Sequence, residues 1–263
     1  MKRLVTLALL LPLPVAAQAA GEGQGRVSSM VTIPAGSFMP QYGGMEAHVS
    51  AFELDVVPVT AEEYSAFVES HPEWRRSNVK RVFADAGYLS SWDSDTEPGR
   101  GGKPGRPATE LSWFGARSYC EAQGKRLPSV AEWEFAALAS ETRANAFRDS
   151  DFNREVLSLY TARQVDDLPA VGSTYRNYHG VWDLHGVVWE WVEDYGSVLL
   201  SGAGRADTAL DRGLFCASGS VGATDIGNYA AFLRYSFRAS VNAAYSGRLM
   251  GFRCARSLPE TRQ

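Results

Sequence analysis

The chain has 263 residues, a formal net charge of −4 and an apolar fraction of 45%. Such a balance suits one sizeable folded core and leaves no basic face for phosphates, so nucleic acid is excluded as a partner. Beyond the first residues no stretch is long and apolar enough to cross a bilayer, so no membrane span is expected either.

The N-terminus reads as an export signal. Met1-Lys2-Arg3 is positive, residues 4–15 are apolar but interrupted by Pro12 and Pro14, and Ala17-Gln18-Ala19 is a small-x-small cleavage pattern. Together these predict a signal peptide over 1–19 and a periplasmic or secreted mature chain. Residues 20–30 are small and polar and predict a flexible leader, 31–258 a single domain, and 259–263 a tail. Three cysteines, Cys120, Cys216 and Cys254, give an exported chain one bridge and one thiol left over, and the count does not say which two pair.

Residues 31–38 predict a short strand broken at Pro34, and the alternation of residues 52–57 a half-buried strand. Thr60 with Glu63 is a capping box opening a helix whose Tyr64, Phe67 and Val68 share a face. Residues 71–109 are irregular. Within them Gly101-Gly102-Lys103 lacks the spacing, and the following Ser or Thr, of a phosphate loop and is read as surface loop. Ser112 caps a second helix to Gln123, stopped by Gly124, and Ser129 with Glu132 caps a third. Residues 141–167 are polar and helical or irregular. An EF-hand-like start at Asp149 fails, because Arg154 stands where glycine is needed and Tyr160 where a bidentate glutamate is needed.

Two later stretches carry the candidate chemistry. Residues 180–191 hold three tryptophans among glycines, which no amphipathic helix would, so a wound loop and strand are predicted. There Asp183 and Glu190, with the carbonyls of Gly186 and Val188, would make an all-oxygen cage for calcium; the competing reading pairs both acids with arginines. Residues 214–256 hold Cys216, an aromatic run around Arg234, Tyr235 and Arg238, and Gly251-Phe252-Arg253-Cys254. Arginines in such a run must meet carboxylates, carbonyls or a ligand, so Arg234 and Arg238 belong either to a recognition surface or to a structural ion-pair network.

In this order, Pro34-Ala35-Gly36-Ser37-Phe38, Val57-Pro58-Val59-Thr60, Ser112-Trp113, Gly124-Lys125-Arg126-Leu127-Pro128, Glu132-Trp133-Glu134, Trp189-Glu190-Trp191 and Gly251-Phe252-Arg253-Cys254-Ala255 resemble the formylglycine-generating enzyme (sulfatase-modifying factor) superfamily. The resemblance covers essentially the whole mature chain. It implies an α+β fold, the formylglycine-generating-enzyme variant of the C-type-lectin-like fold, with short helices around a small antiparallel sheet and much irregular structure. It also implies a Cys120–Cys254 disulfide, and it maps the family's calcium ligands onto Asp183, Gly186, Val188 and Glu190. Enzymes of this family bind Cu(I) through two nearby cysteines, a soft-ligand pair suited to that ion. Here the alignment puts Ala230 at the second of them and Asp225 near the first, with Cys216 upstream and out of register, which argues against the usual copper route.

The iron-dependent branch of the superfamily uses a His-x3-His-x-Glu cluster, which His48, His71, His179 and His185 do not offer. The exported branch fits better. It includes the accessory proteins of copper nitrite reductases and the pyoverdine-maturation protein, and its Phe-Cys-Gly/Ala-x-Gly pattern resembles residues 215–219. One expected function is an exported maturation enzyme that oxidatively modifies a protein or peptide. Cys216 is then its nucleophilic or Cu(I)-binding thiol, and Ser218, Ser220, Arg234, Tyr235 and Arg238 line its cleft. The other is a non-catalytic accessory protein that holds a partner, such as a copper enzyme, during assembly. A third reading makes Cys216 a buried apolar filler.

Overall fold

The computed structural model describes residues 29–40, 46–99, 104–163, 165–195 and 229–259. Cys216, Ser218, Ser220 and Asp225 lie outside the described residues.

Alternating apolar residues make β1 (Met30–Ile33) and β4 (Phe52–Asp55) antiparallel partners, and β7 (Ala255–Ser257) adds to the far edge of β4. Val31 stands opposite Leu54, and Leu54 opposite Ala255, so Ile33, Phe52, Leu54 and Ala255 enter one core. Pro34, with no amide to donate, separates β1 from β2 (Gly36–Phe38), which forms an antiparallel pair with β3 (Ala47–Val49).

Local side-chain chemistry sets the helix starts. At α1 (Ala61–Ser70) the Thr60 hydroxyl accepts from the Glu63 amide while the Glu63 carboxylate accepts from the Thr60 amide. Ser112 caps α2 (Trp113–Ala122), whose end is fixed by Gly124 at φ +65°, a conformation that costs glycine little. Ser129 and Glu132 repeat the capping box at α3 (Val130–Ala137). The carboxylate of Asp149 accepts from the amides of Asp151 and Phe152, opening α4 (Ser150–Thr161), so the residues that imitate a calcium loop are a helix cap.

The predicted small antiparallel sheet is present, but a second pairing differs from it. Trp189–Trp191 (β5) runs parallel to Met250–Phe252 (β6), with Glu190 opposite Gly251. Parallel strands need a long crossover, and the intervening chain includes the helix α5 (Tyr229–Ser240). Gly251 is required because a Cβ there would lie 2.8 Å from the Ala108 carbonyl oxygen, a backbone atom.

Two packed clusters flank this pair of strands. One joins Tyr64, Phe67, Tyr88, Trp92, Leu111, Tyr119, Trp191 and Phe252 around the Cys120–Cys254 disulfide; the other joins Ile33, Phe52, Leu54, Val130, Trp133, Val181 and Leu184. The bridge, spanning 134 residues of sequence, ties α2 to the link between β6 and β7. Beside it the fully buried Asp55 accepts from Lys125 at 2.6 Å and from the Cys254 amide at 2.9 Å.

Candidate functional site

Helix α3 delivers two neighbouring side chains to the interior, Trp133 and Glu134. Its first turn is held by Arg126, whose guanidinium donates to both Glu132 oxygens at 2.7 and 2.6 Å. On α5, Arg234 and Arg238 are four residues apart and share a face. Both reach Glu134: Arg234 donates through Nε at 3.0 Å and Nη2 at 2.6 Å, and Arg238 through Nη1 at 2.6 Å. All three side chains are buried, and both guanidinium carbons lie over the Trp133 ring, at 5.5 and 4.9 Å. Burial alone would raise the Glu134 pKa, but the two cations outweigh it and hold the carboxyl down to about 2.

A second polar chain runs alongside. The His185 ring is buried, and its Nε2 faces the Ala137 carbonyl at 3.1 Å, so Nε2 carries the proton and Nδ1 accepts from the Tyr160 hydroxyl at 2.9 Å. Burial, with Arg234 nearby, lowers the His185 pKa to about 3, so the ring is neutral at any ordinary pH. Above these groups lies a small, narrow cleft of about 30 Å³, walled by Phe38, Met39, Leu138, Phe152, Ala230 and Tyr235, with Glu134, Arg234 and His185 in its lining. It is a narrow apolar cleft over a fixed polar floor in which two guanidiniums share one carboxylate, so these groups together keep a net positive charge.

Of the residues picked out in the sequence, Arg234, Tyr235 and Arg238 therefore come together, though not as free cleft arginines. Their cationic heads pair with Glu134, the ion-pair network that was one of the two expectations, while Arg234 and Tyr235 also line the cleft. Two arginines four apart in an aromatic run show a demand for carboxylates, carbonyls or a ligand; that Glu134 meets it is not visible in sequence, because Glu134 and Arg234 are 100 residues apart. Ala230 is buried at the start of α5, with a methyl group where the resemblance places a thiol. Cys120 and Cys254 are spent on their disulfide, so among the described residues no thiol pair fits Cu(I), and no step is derived through copper.

The calcium cage needs a similar correction. Asp183, at φ +60°, turns its carboxylate onto residues 172–174. There it accepts from the Gly172 amide, the Ser173 amide at 3.1 Å, and the Thr174 amide and hydroxyl at 2.9 and 2.8 Å. Glu190 accepts from Arg253 Nε and Nη2, each at 2.8 Å, and from Trp133 Nε1 at 2.7 Å. The Gly186 carbonyl accepts from Arg163 Nε at 3.1 Å. Of Asp183, Gly186, Val188 and Glu190, three already face N–H donors, and two of those donors are guanidiniums that repel a divalent cation. The donor set does not fit calcium as the side chains stand. Among the described residues no group of three or more His, Cys, Asp or Glu side chains is placed to hold a metal ion.

The sulfatase-modifying factor enzyme 1-like domain matches residues 15–258. The chain belongs to that family. Inactive C-alpha-formylglycine-generating enzyme 2 of Bos taurus is 27% identical over 239 residues, covering 71% of this chain and 79% of the bovine one. The formylglycine-generating enzyme of Streptomyces coelicolor is 32% identical over 175 residues, covering 59% and 54%. The serine/threonine-protein kinase pkn1 of Chlamydia pneumoniae is 31% identical over 153 residues, covering 55% of this chain but 23% of the kinase. Among solved structures, CarF superposes with a TM-score of 0.50 at 16% identity, covering 88% of this chain and 99% of CarF, which bears on the fold alone. PvdO from Pseudomonas aeruginosa gives a TM-score of 0.49 at 22% identity, covering 87% and 94%. The family thus spans proteins named as enzymes, as inactive and as kinases, so membership alone does not assign an activity.

Proposed function

We propose that the protein is an exported maturation factor that oxidatively modifies a protein or peptide substrate, with Cys216 as its reactive thiol. The observation that carries this reading is the Cys120–Cys254 bridge, which uses two of the three cysteines and leaves Cys216 as the one thiol with no intrachain partner. A bridge at the heart of the core also supports an oxidising compartment, in keeping with the leader-like residues 1–19. In such a compartment a lone cysteine is exposed to oxidation, so keeping one free has a cost that a reactive role would offset. The substrate would lie across the apolar surface beside the start of α5, and the net positive Arg234–Glu134–Arg238 group beneath would favour a substrate carrying negative charge there.

A second reading is favoured by Ala230. With a methyl group in place of the second thiol, the scaffold would hold a partner, such as a copper enzyme during assembly, without turning it over. One experiment separates the two. Exported proteins from a strain lacking the gene are incubated in air with the wild-type protein or with Cys216→Ala, and their intact masses compared. An oxidative mass change restored by the wild type and not by the variant supports the enzyme. Co-purification of a partner with both proteins, without a mass change, supports the accessory reading and overturns the first.

A further inference from the structure

Arg163 follows the end of α4, where the C-terminal end of the helix favours a cation. Its guanidinium carbon lies 4.3 Å from the Trp189 ring centre and 4.6 Å from that of Tyr160. Its Nε donates to the Gly186 carbonyl at 3.1 Å, on a glycine at φ +96° that turns the chain between Asp183 and Glu190. The planar head can stack on rings and donate from its edge at once, which a spherical ion cannot do.

From this arrangement we infer that the Arg163 guanidinium is the structural cation of the turn spanning residues 183–190, taking the Gly186 carbonyl that calcium was expected to take and making the fold independent of that metal. The flanking acids agree, since the Glu190 carboxylate faces Arg253 and Trp133, and Asp183 faces the amides of residues 172–174. One Nη of Arg163 is buried with no hydrogen-bond partner, so the head is held by its stacking and by the carbonyl. None of this depends on what Cys216 does.

The test is thermal unfolding of the mature, disulfide-bonded protein in EGTA and in millimolar calcium chloride, for the wild type, Arg163→Met and Arg163→Lys. The wild type should melt at the same temperature in both buffers. Arg163→Met, which keeps length and loses charge, should melt several degrees lower, and Arg163→Lys, which keeps charge and loses the planar stack, should fall between. If Arg163→Met does not fold, Arg163→Lys carries the test, and a lowered melting point that calcium leaves unchanged supports the inference. A calcium-dependent rise for the wild type, or variants that melt with the wild type, would overturn it.

Discussion

Replacing Glu134 by Gln keeps the shape of the side chain and removes the charge that two buried guanidiniums share. Arg234 and Arg238 would then be left at 2.6 Å from an amide, desolvated and without a counter-charge. Breaking a buried ion pair from one side costs about 3–5 kcal/mol, because the remaining charge stays out of water. The depression of the Glu134 pKa from 4.5 to about 2 corresponds to a similar roughly 3 kcal/mol of preferential stabilisation. For a domain of this size each kcal/mol shifts the melting temperature by about 2–4 °C, so Glu134→Gln should melt about 6–20 °C below the wild type. Differential scanning calorimetry on the oxidised protein reads this directly. A second variant guards the argument: Glu134→Leu with Arg234→Met and Arg238→Leu removes the whole network, and should recover much of the loss if packing is kept. A melting point for Glu134→Gln within about 2 °C of the wild type, equivalent to less than ~1 kcal/mol, would refute the structural role. The arginines would then return to the substrate side of the account.

Acid should weaken the fold in two windows. For His185, lowered from 6.5 to about 3, the contribution is complete above pH 6.5 and declines as pH falls towards 3; for Glu134 the window is 4.5 down to about 2. Urea unfolding of the wild type against His185→Gln should show a slope between pH 6.5 and 4.5 that shrinks in the variant, by up to about 1.4 kcal/mol per pH unit. Equal slopes would mean that His185 titrates normally. Cys120→Ser with Cys254→Ser should lose on the order of 4–5 kcal/mol by the loop-closure estimate for a bridge spanning 134 residues, read as a lower urea midpoint in non-reducing buffer. Gly251→Ala forces a Cβ to 2.8 Å from the Ala108 oxygen and 3.1 Å from Val188 Cγ2, and should cost about 1–3 kcal/mol, whereas an unchanged melting curve would show that the two backbones can part freely.

Local signals were the readable ones. Thr60, Ser112 and Ser129 declared the helix starts because a cap is a contact over three residues, and Gly124 declared a stop for the same reason. The strands at 31–33 and 52–55 were marked by alternation and by Pro34, but their antiparallel pairing was not, nor was the parallel pairing of β5 with β6, since Glu190 meets Gly251 only after a long excursion of chain. The Cys120–Cys254 bridge came from the family resemblance; composition left three pairings open. The arginines at 234 and 238 announced that they needed carboxylates, carbonyls or a ligand, and the carboxylates at 183 and 190 that they needed arginines or a metal. Which partner each took is a tertiary fact, decided by the meeting of α3 with α5 and of Arg253 and Arg163 with the turn between them.

The central claim is that Cys216 is a free and reactive thiol, and peptide mapping after native alkylation tests it most directly. The mature protein is treated with iodoacetamide without reduction or denaturant, digested, and its cysteine peptides identified by mass. The account predicts a bridged Cys120–Cys254 peptide pair and a rapidly alkylated Cys216. A Cys216 found bridged to either of the other cysteines, or left unalkylated until the protein is unfolded, would contradict it.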